Sequence, residues 1–362
     1  MKIGLCTGGG DCPGLNAAIR SVVKHALGIC QFEVVGIEGS LTGLWQDPPT
    51  AKPMAMSDVS KILNRGGTVL GTNNKGSPFR DPEQRDKFVD AIKANWRKLG
   101  LDAVIVIGGD GTQTMAKVLH EEGLKIVGIP KTIDNDLPGI ENTIGFSTAV
   151  DVAAEAAGRL ETSADAHDRI MVLEVMGRDA GHIALHAGIA GGANIILLPE
   201  IPFSFDSIVN KIRDRQQFGR NSSLVVIAEG AHPIAGEQVF RASSSGSKVL
   251  GGIASRFAVE LHQRTNIETR VTVLGYIQRG GSPNVRDRIL ASSLGQYAVH
   301  LLASGQHGCI VHSNGGRLSS TPYEKIPSGR RTISDDDPLL QTAEGIGICL
   351  GRDADFAIET KG

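Results

Sequence analysis

The sequence predicts an α/β protein, built as two interleaved parallel-sheet lobes with helices on both faces. Two patterns carry this reading. Short β-branched apolar runs recur ahead of helix-like stretches, as expected of strands buried on both sides in a parallel sheet. Tight turns follow several of these runs, and 46 glycines set against 4% aromatic residues suit many strand-to-helix turns. A length of 362 residues is enough for two lobes sharing a cleft.

In chain order, Lys2 to Thr7 reads as the first strand and Ala17 to Leu27 as the helix after it. Ala103 to Ile107 gives a strand ahead of a helix over Thr114 to His120, and further strands fall at Lys125 to Ile129, Ile170 to Val175, Ile195 to Leu198 and Leu224 to Ala228. No repeat of solenoid period and no proline-rich linker interrupts this alternation; the run Ser243 to Ser247 is a loop.

Composition narrows the function classes. Lysine and arginine total 37 and aspartate and glutamate 39, a formal charge of −2, so neither nucleic acid nor an anionic membrane is an expected partner. The five cysteines, Cys6, Cys12, Cys30, Cys309 and Cys349, are spread out without a CxxC pair, which favours a reducing cytoplasm over a disulfide framework or a zinc site. The opening residues lack a signal-peptide pattern, and no apolar run reaches the ~18 residues of a membrane span.

Three turns carry chemistry. The first, Gly8-Gly9-Gly10, lies ahead of a helix running toward Arg20. Without side chains its backbone N–H groups can approach a phosphate closely, and the helix N-terminus adds positive potential; a purely structural turn is the alternative. The second, Gly108-Gly109-Asp110-Gly111-Thr112, adds a carboxylate at a strand mouth. Asp110 is the metal candidate, because magnesium bridging phosphate oxygens needs a hard oxygen ligand, and capping a helix that begins near Thr112 is its alternative role. The third, Pro130-Lys131-Thr132-Ile133-Asp134-Asn135-Asp136-Leu137-Pro138, holds two carboxylates two residues apart, poor material for a core and suited to taking a proton from a hydroxyl. In an open α/β sheet such turns lie at the carboxyl ends of strands, where ligands bind.

With Met176-Gly177-Arg178 and Gly275 to Pro283 added in order, the chain resembles the 6-phosphofructokinases from about Lys2 to Gly347. The resemblance implies a phosphofructokinase-like fold. It places a mainly nucleotide-binding lobe over 1–145, a mainly sugar-phosphate lobe over 146–275, and crossover helices with a C-terminal extension returning to the first lobe over 276–362. By the same resemblance Asp134 is the base toward the C1 hydroxyl of fructose 6-phosphate, Asp136 supports it, and Arg178 neutralises charge on the transferring phosphoryl group. Thr132, Met176, Gly177, Glu229, Tyr276 and Arg279 line the sugar-phosphate site. Arg169 and Arg270 match two arginines lent across a subunit contact to the 6-phosphate, which implies a homotetramer or homodimer; the guanidinium fork suits that task. Gly10, Gly109, Asp110, Gly111, Thr112 and Lys131 serve the nucleotide phosphates and Mg²⁺. Asn74 stands where bacterial members have arginine, with Lys75 supplying charge beside it, and Tyr276 replaces a common histidine. The segment from Pro322, including Gly329-Arg330-Arg331, extends past the short bacterial form.

The phosphoryl donor turns on Gly111 and Lys131. Pyrophosphate-dependent members of the resembled family carry aspartate after the metal aspartate and lysine before the catalytic-loop threonine, so this chain is mixed. Gly111 weighs more, because an absent side chain leaves room for the rest of ATP, and ATP is the expected co-substrate. Pyrophosphate is the alternative donor. A kinase of another Gly-Gly-Asp-Gly-Thr group and a catalytically silent regulatory paralogue are the remaining readings. The second is disfavoured because Asp110, Asp134 and Arg178 are all present.

Overall fold

The computed structural model describes residues 1–73, 82–242 and 248–352. From the N-terminus run β1 (Lys2–Gly8), α1 (Leu15–Gly28), β2 (Glu33–Ile37), the short α2 (Thr42–Trp45), β3 (Ala51–Pro53), α3 (Pro82–Leu99), β4 (Ala103–Gly108), α4 (Asp110–Glu121), β5 (Ile126–Thr132) and β6 (Ile144–Gly145). After α5 (Phe146–His167) come β7 (Ile170–Val175), α6 (His182–Ala190), β8 (Ile195–Leu197), α7 (Phe205–Gln217), β9 (Ser223–Ala228), β10 (Phe240–Ala242), β11 (Lys248–Leu250), α8 (Ile253–Thr265) and β12 (Thr269–Val273). A 3-10 turn at Gly275–Arg279 leads into α9 (Val285–Ala303), β13 (Cys309–Asn314), β14 (Arg317–Pro322) and α10 (Pro338–Gly345).

The chain divides into two compact units, the first made of Met1–Thr148 with Arg279–Gly329, the second of Ala149–Gln278 with the stretch from Arg330. In the first unit the strands run β14-β13-β5-β4-β1-β2-β3, with β6 on β5. The pairs from β13 through β2 are parallel, whereas β14 and β3 close the two edges antiparallel. Every residue of β4 is buried, which is why this strand reads in sequence as an unbroken apolar run. Val104, Val106, Ile126, Phe88, Ile92 and Ile310 belong to one core cluster. α1 buries Leu15, Ala18, Ile19, Val22, Val23 and Ala26, a helical stripe, and lies against α9; a Cβ on Gly295 of α9 would come within 2.8 Å of the Ala18 carbonyl oxygen.

In the second unit four parallel strands run β12-β7-β9-β8. Val172, Ile195, Leu197, Val225, Ile227, Phe203 and Phe257 form its core. The buried carboxylate of Glu174 on β7 accepts the backbone N–H groups of Gly252 (3.2 Å) and Ala254 (3.0 Å), which satisfies the N-terminus of α8. No described helix is long and apolar enough to cross a membrane.

One expectation changes. The strand expected to end at Ile129 continues through Pro130 and Lys131 to Thr132. Pro130 sits where pairing with β4 ends and pairing with β6 begins, a place where a missing N–H is tolerated. In the C-terminal part, Arg279–Gly329 belongs to the first unit and residues 330–352 group with the second.

Candidate active site

Strand register brings the first unit's turns together. Gly8 at the end of β1 is level with Gly108 at the end of β4, and Gly108 is level with Pro130 on β5. The chain goes from β1 to β2 on one side and places β4 on the other, so the turns after β1 and β4 flank a switch in strand order, where α/β sheets open a crevice for ligands.

Each turn is held by specific contacts. Gly9 has φ +81°, donates its N–H to Asn73 O (3.1 Å) and accepts the Thr72 hydroxyl (2.6 Å). The ammonium of Lys131, a buried residue, donates to the Gly10 carbonyl, and Arg279 Nη1 donates to Asp11 O at 3.2 Å. Two cations thus converge on the first glycine turn. Burial pushes the Lys131 ammonium below its ordinary pKa, and the charge of Arg279 pushes the same way. Gln113, also buried, donates to the carbonyls of Gly108 (3.1 Å) and Ile129 (3.0 Å), tying the ends of β4 and β5 together.

Asp110 is the first residue of α4, and the capping position belongs to Gly109, so Asp110 does not act as the cap. Its carboxylate has no hydrogen-bond or ion-pair partner among the described residues. Thr112 is buried. A Cβ on Gly111 would meet nothing within 4 Å, and Gly111 has no positive φ. Neither backbone nor packing requires glycine there.

The Asp134–Asp136 loop turns on Asn135, whose φ is +51°. Its side chain accepts the Thr143 N–H (3.0 Å) and donates to Glu141 O (3.1 Å), while the Thr143 hydroxyl donates to Thr132 O (2.6 Å). Asp134 N donates to Thr132 Oγ1 at 3.2 Å. Asp136 and its neighbours Ile133 and Leu137 are buried, while Asp134 is half-buried. The two aspartates of this anchored turn therefore differ in exposure. Sequence reasoning named the two aspartates and passed over Asn135 between them, although asparagine is the residue type that most readily takes a left-handed conformation without being glycine.

In the second unit, Met176-Gly177-Arg178 follows β7, Glu229 follows β9 and Tyr276 comes shortly after β12, so all three groups lie at carboxyl ends of adjacent strands. Glu229 N donates to Val175 O (2.9 Å) and Gly230 N to Gly177 O (3.1 Å). Gly177 has φ +140°, and a Cβ on Gly230 would lie 1.9 Å from Arg178 O, so both positions require glycine. Arg178 O also accepts from Gln238 Nε2 at 3.0 Å. With this backbone fixed, the Arg178 side chain remains 62% exposed. Tyr276 is 79% exposed.

Arg169 and Arg270 are not with these residues. They lie at the opposite, amino ends of β7 and β12, roughly 20 Å away along a six-residue strand. Both bind Glu268, Arg169 Nε at 2.6 Å and Arg270 through Nη2, and the bond from Arg169 first of all holds the Glu268 carboxyl below its usual pKa. Asn74 and Lys75 lie outside the described residues.

Fold and turns together define an α/β protein whose first unit brings three strand-end turns to a switch in strand order. The family model described as phosphofructokinase matches residues 2–302. The chain belongs to the phosphofructokinase family. It is 48% identical to the ATP-dependent 6-phosphofructokinase 1 of Synechocystis sp. over 357 residues, covering 97% of this chain and 99% of the relative. A pyrophosphate–fructose 6-phosphate 1-phosphotransferase of Amycolatopsis methanolica is 45% identical over 338 residues, 92% of this chain and 96% of that one. Among solved structures, phosphofructokinase from Saccharomyces cerevisiae matches with a TM-score of 0.76 at 30% identity, over 90% of this chain and 45% of that longer chain.

Proposed function

We propose that this chain is a glycolytic kinase that moves the γ-phosphoryl group of ATP to the C1 hydroxyl of fructose 6-phosphate. The reading is that of an ATP-dependent 6-phosphofructokinase, as its Synechocystis relative is named. The observation that carries the donor is Gly111: open space around a helical glycine that neither backbone nor packing demands favours a ligand larger than pyrophosphate at that point. The Amycolatopsis relative makes the alternative donor a specific one to test.

In this reading the turns at Gly8 to Gly10 and Gly108 to Thr112 hold the nucleotide phosphates, with Lys131 and Arg279 adding positive charge. Asp110, with no protein partner among the described residues, fits a magnesium ion held by one carboxylate and the substrate phosphates. When bound, that ion supplies charge neutralisation on the phosphate oxygens. No group of three or more acidic, histidine or cysteine side chains among the described residues offers an all-protein cage, as suits an ion held largely by substrate. Asp134 takes the C1 hydroxyl proton as the C1 oxygen bonds to the γ-phosphorus and the bond from that phosphorus to ADP breaks. Asp136 and Asn135 keep its loop in place, and Arg178 stabilises charge on the group in flight. Thr132, Met176, Gly177, Glu229, Tyr276 and Arg279 bind the sugar phosphate. Arg169 and Arg270 serve a second copy's 6-phosphate in a homodimer or homotetramer, a role supported by their place at the far ends of β7 and β12. A cytoplasmic setting agrees with five free cysteines.

The test is the initial rate of fructose 1,6-bisphosphate formation from fructose 6-phosphate and Mg²⁺, with ATP and pyrophosphate offered separately. Turnover with ATP alone is expected. Turnover with pyrophosphate alone overturns the donor, and turnover with neither restores the regulatory reading.

A further inference from the structure

The loop carrying Arg178 is tied to the chain segment that begins at Arg330. Asp179 Oδ2 lies 2.6 Å from Arg330 Nη1 and 3.7 Å from Arg178 Nε, so one carboxylate stands between two guanidinium groups and makes its short bond to Arg330. The same segment is fastened twice more around this turn. His182 Nε2 is 3.3 Å from Arg331 O, and Glu200 accepts the Ile333 N–H at 3.0 Å while its two oxygens accept the Gly181 N–H at 3.0 and 3.1 Å. Ile333 is buried. The backbone of Arg178 is fixed independently by Gln238 and by the close approach of Gly230.

What the backbone clamps leave undetermined is where the exposed Arg178 guanidinium points. An adjacent carboxylate without a better partner draws an arginine into a short bidentate pair, since such pairs are the stronger charge-assisted bonds. From this geometry we infer that Arg330 is a positioning residue for phosphoryl transfer: by binding Asp179 it keeps that carboxylate from capturing Arg178. The inference rests on the role proposed above for Arg178. It assigns a task to a residue that touches neither substrate in that reading.

The experiment compares Arg330→Met, Arg330→Lys, Arg178→Met and the double variant Asp179→Asn/Arg330→Met in full-length protein, with kcat, both KM values and the melting temperature. Arg330→Met is expected to lower kcat about tenfold while each KM stays within about twofold, the pattern of a misaimed transition-state group. Arg330→Lys keeps most of the rate. The double variant recovers most of it, because the neutral amide that replaces the Asp179 carboxylate cannot capture Arg178. A structural tether predicts the opposite, a lower melting temperature and no recovery when Asp179 is neutralised. Native kcat in Arg330→Met, or a double variant as slow as the single, overturns the inference provided that Arg178→Met is itself slow. Native kcat in Arg178→Met overturns the role of Arg178 and the inference with it.

Discussion

Asp134 and Asp136 sit two residues apart with unequal exposure, and the difference between them is made by Asn135. With the loop held by Asn135 and Thr143, removing the half-buried carboxylate costs little structure. Asp134→Ala is expected to keep its fold and substrate binding and to lose ~10²-fold or more in kcat, the range for a positioned base; near-normal turnover in the same assay removes Asp134 from that role. Gly111 makes a complementary case. Space for a side chain and a helical backbone mean that Gly111→Asp folds, and an acidic residue in the first turn of α4 even suits the helix dipole. In the proposed reading the new carboxylate faces the nucleotide phosphates, and like-charge apposition of that kind costs several kcal/mol, so kcat/KM for ATP is expected to fall by roughly 10²-fold or more. An unchanged value for ATP sinks Gly111 as the donor determinant.

Among elements, α6 shows how burial sets a pH limit. Its first residue, His182, is buried, and desolvation first, then the charge of Arg331, lowers its pKa from 6.5 to about 4. His186 one turn on is shifted the same way by burial, with Asp337 opposing and Arg331 adding to it. A histidine kept neutral in the fold binds its proton more readily when unfolded. Between pH 6.5 and about 4 the unfolded chain therefore holds more protons, and stability falls as the pH falls through that window. The drop from 6.5 to about 4 is worth about 3 kcal/mol for His182 alone. Urea unfolding of His182→Gln, which keeps a donor for Arg331 O, is expected to depend less steeply on pH between 6.5 and 4 than the native chain does; identical slopes would mean that His182 does not titrate in this way.

At the scale of the whole molecule, what was legible in the sequence follows burial. The inner strands β1, β4, β7 and β9 are continuous apolar runs and were readable to within about two residues. The edge strands β12 and β14 were not, because their residues are mostly exposed or half-exposed and read as polar connection. The three strand-end turns were visible from glycine and acid spacing, yet their alignment is a property of register, which no single segment encodes. The partners of Lys131, Arg279 and Arg330 were equally out of reach, since each bond joins residues far apart in the chain. The path of the chain is set in the same way: whether the residues after Arg330 join the first or the second unit depends on Ile195 pairing with Cys349 and on Glu200 reaching Ile333.

The three crossings between units have a consequence for synthesis on the ribosome. β5 is complete at Thr132, but its neighbour β13 begins only at Cys309, about 180 residues later. At 5–20 residues per second the nascent first unit waits roughly 10–40 s with one side of β5 unsatisfied. During that interval the second unit's inner strands emerge, so its sheet can pair before the first unit's sheet is finished. A cut at any of the three unit boundaries leaves at least one unit divided between the two fragments.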